Sequence, residues 1–162
     1  MPQDSTDDIL RALGRLPSGL YIATVARGEQ RAGMLASWVQ QAGFEPPTLT
    51  VAVARQRFFA DWVAEAGGFT LNQVASGRKS LLKHFSRGFN PTDDAFEGLE
   101  LIETPGAAGP VLADAMAYLD CRVTGSMDSG DHRVFLAELV GGRLIDTGAD
   151  PFVHVRKSGA NY

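Results

Sequence analysis

The sequence of 162 residues contains only one cysteine, Cys121, and three histidines. A single cysteine excludes an intrachain disulfide framework and a cysteine-rich zinc site, and it is typical of a reducing compartment. His84, His132 and His154 stand too far apart in the sequence for the ligand spacing of a metal motif. The sequence therefore predicts no metal centre.

Long apolar segments are also missing, since none approaches the roughly 20 residues that a membrane-spanning helix needs. The first ten residues carry Asp4, Asp7 and Asp8 instead of the basic start and apolar centre of a signal peptide. We therefore expect a soluble, cytoplasmic protein with no membrane partner. Fifteen basic and 19 acidic side chains give a net charge of −4, which argues against a nucleic-acid partner.

Three common catalytic signatures are absent as well. The sequence has no G-x-G-x-x-G, no G-x-x-x-x-G-K-[ST] and no G-x-S-x-G. Their absence argues against a Rossmann dinucleotide site, a P-loop and a nucleophile elbow. Cys121 falls on the apolar face of a predicted strand, which favours a small buried thiol over a catalytic nucleophile.

Short β-branched and aromatic runs, separated by turn residues, dominate the rest of the sequence. Strands are predicted over residues 21–26, 31–38, 48–54, 69–74, 115–123, 132–140 and 152–155. Short helices are predicted over residues 7–16, 58–66 and 78–85, and a polar surface loop over residues 86–94. About seven strands joined mostly by short turns predict a mainly β protein, a closed or half-closed antiparallel barrel in one domain over residues 1–162.

A basic window interrupts this acidic sequence. No acidic residue lies between Glu65 and Asp93, and the window contains the basic side chains Arg78, Lys79, Lys83, His84 and Arg87. Lys79 and Lys83 are four residues apart and would share one face of a helix. The window predicts either a site for a bound anion, most commonly phosphate, or a solvated basic helix face.

Small side chains cluster within residues 31–47, at Gly33, Ala36 and Ser37, ahead of a double proline. Small residues allow a planar ligand to approach the backbone, whose N–H and C=O groups can bind the polar edge of that ligand. The alternative is a packed strand that runs into an ordinary loop. Trp38 likewise fits either a stacked ligand ring or the core.

A histidine also stands at the start of a predicted strand, where His132 follows Gly130-Asp131. A histidine in this position can contact a ligand or orient an electron donor. It can equally be an ordinary turn residue.

These segments resemble the flavin reductase-like family of FMN-binding split barrels. Residues 33–38 (GMLASW) and 43–47 (GFEPP) match the spacing of the family motifs G-M-T-A-S-S and S-x-x-P-P, and Gly130-Asp131-His132 matches its G-D-H motif. Pro17-Ser18-Gly19 resembles the family's P-x-G entry to the first strand, and residues 69–74 resemble its F-x-x-N-x-L strand.

Three further segments are similar to the C-terminal flavin reductase-like module of flavodiiron proteins from oxygenic phototrophs. They are residues 37–54, the triplet Lys83-His84-Phe85 and residues 154–162 (HVRKSGANY). The resemblance covers nearly the whole chain. It implies an antiparallel split β-barrel with a few short helices.

The resemblance also implies a homodimer that binds FMN near its interface and takes NADH or NADPH as the electron donor. The flavin ring would lie against the backbone of residues 35–41, and basic side chains would meet its phosphate. Asn72 would hold the ribityl chain, and His132, the implied catalytic residue, would border the nicotinamide. The implied cofactor-binding residues are Leu35, Ala36, Ser37, Trp38, Val39, Gln40, Arg55, Arg57, Asn72, Lys79 and Lys83.

The chain departs from the family pattern at four positions. The family has threonine where Leu35 stands, serine at the positions of Trp38 and Gly43, and glycine at the position of Ala137. Because three hydroxyl donors are missing, we expect phosphate binding to depend more on basic side chains and backbone N–H groups. We also expect the side chain of Ala137 to crowd the nicotinamide side.

The sequence and the resemblance together predict an FMN-dependent oxidoreductase of the flavin reductase type. It would pass electrons from NAD(P)H through the flavin to a small-molecule or protein acceptor. One alternative is a non-enzymatic FMN-binding electron-transfer protein that works with a protein partner. The other is a flavin-free interaction module, which the missing hydroxyl groups favour.

Overall fold

A computed structural model of the chain describes residues 3–162, with side chains from Ser5 onward. Its helices are α1 (Gln3–Gly14), α2 (Phe58–Ala66) and α3 (Lys79–Ser86), and none of these three is long and apolar enough to cross a membrane. The strands are β1 (Ser18–Gly19), β2 (Tyr21–Arg27), β3 (Gln30–Ala36), β4 (Val39–Phe44), β5 (Pro47–Ala54), β6 (Gly68–Gln73), β7 (Leu101–Ile102), β8 (Val111–Leu112), β9 (Ala117–Ser129), β10 (His132–Leu144) and β11 (Val153–His154).

Seven of these strands form one antiparallel sheet in the order β3-β2-β6-β9-β10-β5-β4. The two edge strands, β3 and β4, follow each other in the chain and are joined by Ser37 and Trp38 alone. Three consecutive Cα–Cα steps span at most roughly 11 Å, so the two edges must approach each other at this link. The sheet therefore curls into a barrel that is split between β3 and β4, which confirms the predicted mainly β, split-barrel fold.

Apolar side chains fill the inside of this barrel. Strand β5 alternates between buried and half-buried residues, with Leu49, Val51 and Val53 pointing inward, as its period-two pattern predicts. Phe69 of β6 and Phe135 of β10 are each 1% exposed and join the same core. Burial of this apolar surface is the main force that holds the strands together.

Ala137 belongs to that core as well, since its side chain is fully buried inside the barrel. The expectation that it crowds the nicotinamide side was therefore wrong. A methyl group at this place fills the interior, because Ala137 lies on the same inward face of β10 as Phe135, two residues earlier.

Helix α3 packs outside the barrel against β3. A Cβ atom at Gly33 would come within 2.7 Å of Phe85 Cε1, closer than real Cβ contacts. The absence of a side chain at Gly33 thus allows the Phe85 ring to lie on the strand. Of the two interpretations that the sequence left open for Gly33, the structure supports the packed strand, because an aromatic ring of the chain itself takes the room at this glycine.

A buried polar network surrounds Asn72 on β6. The fully buried carboxamide donates through Nδ2 to the carbonyl oxygens of Ile22 and Pro110, both at 3.2 Å, and its Oδ1 accepts from the Leu112 N–H at 2.8 Å. These bonds fix the segment that leads into β8. The carboxamide is engaged within the protein, so the structure gives Asn72 a structural place instead of the implied contact with a ribityl chain.

Several strand boundaries differ from the sequence prediction. The strand predicted over residues 31–38 ends at Ala36, and a new edge strand, β4, begins at Val39. Strand β4 pairs with β5 only, and its Gln40 and Gln41 are exposed. An edge strand with small and polar side chains carries little apolar periodicity, which explains why it was not predicted. Strands β9 and β10 also extend further than predicted and form one long hairpin.

Candidate functional site

The link between β3 and β4 lies at the split of the barrel. The Ala52 N–H of β5 donates to the Trp38 carbonyl at 3.0 Å and holds the link against the sheet. Ser37 makes no hydrogen bond with any other residue of the part that the structure describes. Its backbone N–H and its hydroxyl are therefore both available to a ligand.

A cleft of about 500 Å³ opens beside this link, and we call it the arginine cleft. Apolar residues and the link form its floor, and three arginines stand around it. The lining residues are Leu20, Met34, Leu35, Ala36, Ser37, Trp38, Ala52, Arg57, Phe85, Ser86, Arg87, Gly88, His154, Arg156 and Tyr162.

The three arginines carry charge that no carboxylate of the described side chains neutralises. Arg57, Arg87 and Arg156 form no ion pair with the residues from Ser5 onward, and no acidic residue lines the cleft. Arg57 also precedes the first turn of α2, where the partial positive charge of the helix end adds to that of the side chain. The cleft is thus a positive region in an acidic protein and suits an anionic group.

A second cleft, of about 480 Å³, shares Trp38, Ala52 and Tyr162 with the arginine cleft, and we call it the histidine cleft. The imidazole of His132 lies at one wall, where its ring centroid is 4.6 Å from that of Trp38. Its remaining lining residues are Ala52, Ser129, Asp131, Val134, Gly159, Ala160, Asn161 and Tyr162.

His132 is held between two partners. Its Nδ1 lies 2.6 Å from Asp131 Oδ1, and its Nε2 is hydrogen-bonded to the Tyr162 hydroxyl. The hydrogen bond from His132 lowers the pKa of Asp131, and burial raises the pKa of Tyr162. The ionised carboxylate of Asp131 therefore accepts a hydrogen bond from Nδ1–H, and the protonated Tyr162 hydroxyl is the partner of Nε2.

A third hollow, of about 560 Å³, lies along the start of β4. Val39 and Gln40 line it, together with Leu13 and Leu16 from the region of α1. All three spaces share Trp38 and Ala52, so the indole of Trp38 stands where they meet.

The structure brings together most of the residues that the resemblance implied. Leu35, Ala36, Ser37, Trp38 and Arg57 line the arginine cleft, Val39 and Gln40 line the hollow next to it, and His132 lies in the histidine cleft. The link between β3 and β4 is therefore the centre of the candidate site.

Arg55 lies apart from the arginine cleft. Its guanidinium donates to the Gly130 carbonyl at 3.2 Å and lies 3.6 Å from the Asp128 carboxylate, at the tip of the β9–β10 hairpin. It lines a shallow hollow with Asp131 and Arg133. Because its charge is already paired, Arg55 is a poor candidate for a phosphate group.

The basic window splits into three parts. Lys79 and Lys83 are exposed on α3 and do not line the arginine cleft, as the interpretation of a solvated helix face predicts. Arg78 pairs with Asp114 and Asp146, and His84 bonds to the Ala95 carbonyl. The last basic residue of the window, Arg87, is the one that reaches the cleft.

No sequence pattern indicated a site role for Arg156, His154 or Tyr162. All three belong to the segment 154–162, which the sequence showed only as a stretch of family resemblance. The pairing of His154 with Ser18 and the bond from the Arg156 N–H to the Gly14 carbonyl bring this segment across the site. No local pattern in the sequence indicates such a long-range return.

The fold and the site define a flavin reductase-like split barrel, and the comparison with known families agrees. Residues 13–160 match the flavin reductase like domain, and the chain belongs to that family. It is 40% identical over 156 residues to diflavin flavoprotein A 1 of Synechocystis, and 40% identical over 163 residues to a putative diflavin flavoprotein A 3 of the same genus.

These alignments cover 96% and 100% of this chain, but the chain spans only 27% of the length of either relative. The matched part is the C-terminal flavin reductase-like module of flavodiiron proteins, which confirms the resemblance seen in the sequence.

Solved structures share the fold at lower identity. An NADH:FAD oxidoreductase of Streptomyces globisporus superposes with a TM-score of 0.84 and 22% identity, over 98% of this chain and 92% of that one. The flavin reductase BorF, a component of a bacterial tryptophan halogenase, superposes with a TM-score of 0.79 and 21% identity, over 92% of this chain and 91% of that one.

Proposed function

We propose that this chain is an FMN-dependent oxidoreductase that takes electrons from NADH or NADPH and passes them to an acceptor. The flavin ring lies against residues 35–38 in the arginine cleft, and the donor binds in the histidine cleft beside His132. The observation that carries this proposal is the arginine cleft itself. It combines an apolar floor, an unbonded Ser37 and three arginines without a carboxylate partner.

The residues present fit a flavin mononucleotide. A volume of about 500 Å³ lies within the range of roughly 300–1,000 Å³ that is usual for small-molecule pockets. The apolar floor suits a planar ring system, and Ser37 offers a donor to its polar edge. Arg57, Arg87 and Arg156 suit a terminal phosphate, which favours FMN over riboflavin.

A bound flavin would supply the redox chemistry that carries electrons from the dihydronicotinamide donor to the acceptor. The protein holds the two rings at the junction that Trp38 forms. The arginines stabilise negative charge in their cleft. His132, oriented by Asp131, borders the donor, and the site needs no protein nucleophile.

The relatives support this reading. The family is one of flavin-dependent proteins, and the Streptomyces neighbour is described as an NADH:FAD oxidoreductase that has been solved in complex with NAD and FAD fragments. A nicotinamide donor and a flavin on one split barrel are therefore consistent with the fold.

The cofactor is tested by titrating the purified protein with FMN, FAD and riboflavin and measuring the dissociation constants. We expect FMN to bind more tightly than riboflavin. Loss of one charge-assisted bond in Arg57→Ala or Arg87→Ala should raise the Kd of FMN about tenfold, while the Kd of riboflavin changes little. Lys79→Ala, which removes an exposed lysine outside the cleft, is the matched control.

Three results would count against this placement. Equal losses for FMN and riboflavin would show that the arginines do not bind the phosphate. A strong effect of Lys79→Ala would move the phosphate to the outer face of α3. A protein that binds no flavin at all would leave the flavin-free interaction module as the better description.

The second candidate function is an FMN-binding electron-transfer module without its own nicotinamide activity. It is favoured by the fact that the relatives carry this region as 27% of a longer chain. Steady-state oxidation of NADH and NADPH separates the two functions. Turnover with either donor supports the oxidoreductase, whereas flavin binding without turnover supports the electron-transfer module.

We further propose that the chain acts as a homodimer. Leu136, Val140 and Leu144 expose apolar side chains along β10, and a second copy would cover them. Light scattering during size-exclusion chromatography distinguishes one 17.3 kDa chain from two. A mass of one chain in the presence and absence of FMN would overturn this part of the proposal.

A further inference from the structure

Tyr162 stands between the two clefts of the site. Its side chain lines both the arginine cleft and the histidine cleft. The centroid of its ring lies 5.2 Å from that of Trp38, and its hydroxyl bonds to His132 Nε2. Tyr162 thus joins the two residues that border the proposed donor position.

The spacing of these three rings leaves no room for another ring among them. A planar ring inserted between two others needs a separation of roughly 7–8 Å, twice the usual contact distance. The centroids of Trp38 and His132 are 4.6 Å apart, and those of His132 and Tyr162 are 5.9 Å apart. A ligand ring can therefore stack on Trp38 from this side only after the Tyr162 ring has moved away.

The segment that carries Tyr162 is held firmly up to Gly159 and makes few contacts after it. The Gly159 N–H donates to the Leu10 carbonyl at 2.6 Å, and a Cβ atom at Gly159 would come within 2.7 Å of Leu13. Close packing against α1 therefore fixes the chain up to Gly159.

Beyond Gly159 the described contacts are few. The Arg156 guanidinium donates to the Asn161 carbonyl at 2.9 Å, and Tyr162 has its bond to His132 and its ring contacts. Tyr162 is 64% exposed. Its ring can leave the site without breaking any bond of the barrel sheet.

We propose that Tyr162 is an aromatic gate that closes the junction of the two clefts and must open to admit the donor's dihydronicotinamide ring. In the closed state the phenol covers Trp38 and occupies the Nε2 of His132. In the open state residues 160–162 swing away about Gly159, and Trp38 and His132 become free to contact the donor. This inference rests on the proposed function, because the ring admitted is that of the proposed donor.

The test compares the wild type, Tyr162→Ala, Tyr162→Phe and the control Lys157→Ala, all loaded with FMN. Lys157 is exposed, lies in the same segment and lines none of the three spaces. Without a ring to displace, Tyr162→Ala should lower the KM for the donor about three- to tenfold. Tyr162→Phe keeps the ring but loses the hydroxyl, so its KM for the donor should lie between those of Tyr162→Ala and the wild type. Lys157→Ala should have the KM of the wild type.

A second readout needs neither flavin nor donor. Trp62 is only 4% exposed, so quenching of tryptophan fluorescence by acrylamide reports mainly on Trp38. Quenching should increase in Tyr162→Ala because the indole loses its cover, and it should stay unchanged in Lys157→Ala. Equal quenching in Tyr162→Ala and the wild type would overturn the gate.

The kinetic outcomes separate the gate from the proposed function. Oxidation of the donor with the same KM in Tyr162→Ala and the wild type would overturn the gate alone. A higher KM in Tyr162→Ala would also overturn it, because the ring would then belong to the binding surface. Absence of donor oxidation in every protein would overturn the proposed function and the gate together.

Discussion

The rings of Trp38 and His132 lie 4.6 Å apart between centroids, although they come from distant parts of the chain. The register of β5 against β10 produces this contact, since Ala54 pairs with His132 while Ala52 bonds to the Trp38 carbonyl. A slip of one residue in that register would turn His132 to the opposite face of the sheet. The junction of the two clefts thus depends on the packing that fixes the barrel.

The substitution His132→Ala should impair reaction with the donor without weakening the binding of FMN. His132 lies in the histidine cleft and not among the residues that line the arginine cleft, so its loss should affect the donor and not the flavin. We expect kcat/KM for NADH or NADPH to fall about tenfold, with the Kd of FMN changed by less than about twofold. His132→Gln, which keeps a polar side chain there, serves as the conservative comparison. A parallel loss of FMN binding would place His132 in the flavin site.

Asn72→Ala should destabilise the fold strongly. Its carboxamide is fully buried and bonds to Ile22, Pro110 and Leu112. The Leu112 N–H would lose its acceptor, whereas the Pro110 carbonyl would keep the hydrogen bond from the Thr24 hydroxyl. Leaving such groups unsatisfied costs about 2–4 kcal/mol of the free energy of unfolding, measurable by urea denaturation. Asn90→Ala, at an exposed position, is the control.

The same variant tests the role that family resemblance implied. If the Asn72 side chain held the ribityl chain, Asn72→Ala would weaken FMN binding while the free energy of unfolding stayed near that of the wild type. We expect instead that Asn72→Ala lowers the free energy of unfolding more than it weakens FMN binding.

Gly33→Ala should loosen the packing of α3 on β3. The new Cβ would lie 2.7 Å from Phe85 Cε1 and 3.2 Å from Phe96 Cζ. Overpacking of this kind costs about 1–3 kcal/mol of the free energy of unfolding, and Phe85→Leu in the same chain should recover part of it. Gly125→Ala is the matched control, because a Cβ there meets no atom within 4 Å; an equal loss in both variants would rule out the clash as the cause.

Cys121 should be inert toward thiol reagents in the folded protein. It is 1% exposed, and burial, with a smaller effect of Asp120, raises its pKa from 9.0 to about 12. At pH 8 about one thiol in 10⁴ is ionised in the folded chain, against about one in ten when unfolded. We expect labelling by a disulfide reagent to require unfolding and to modify one thiol per chain; rapid labelling of the native protein would contradict the buried position.

The same shift of pKa gives a pH dependence of stability. Below pH 9 the thiol is protonated in both states and its contribution to the free energy of unfolding is constant. Between pH 9 and about 12 the unfolded chain loses the proton first, so this contribution falls by about 1.4 kcal/mol per pH unit. Cys121→Ala should remove this part of the slope in denaturation measured at pH 9 to 11.

Local sequence patterns predicted the strands that have a buried face. The short β-branched and apolar runs of β5, β6 and β10 gave the places of these strands, and the predicted burial of Cys121 was confirmed. Strand β4 was missed because its polar side chains lie on an exposed edge. Helix α3 was predicted close to its true bounds. The sequence left open whether Gly33 admits a ligand or packs in the strand, since no sequence pattern shows which ring packs against a glycine.

The site residues likewise fall into two groups, those that short motifs identified and those that only long-range contacts bring to the site. The segment around Ser37 and Trp38 and the position of His132 were identified from motifs, because each is a short stretch of neighbouring residues. Arg87, Arg156 and Tyr162 reach the same place from α3 and from the segment after β11. Their convergence depends on contacts between residues far apart in the chain, and resemblance alone could not give it.

The sequence by itself determined the strand-rich character of the chain and its period-two core. These features follow from side-chain chemistry over a few neighbouring residues. Only the tertiary structure decided which basic groups remain without a partner, that Asn72 is engaged inside the protein, and that Tyr162 covers Trp38. Charge pairing, burial and ring contact depend on distances in space, and the packing of the whole barrel sets those distances.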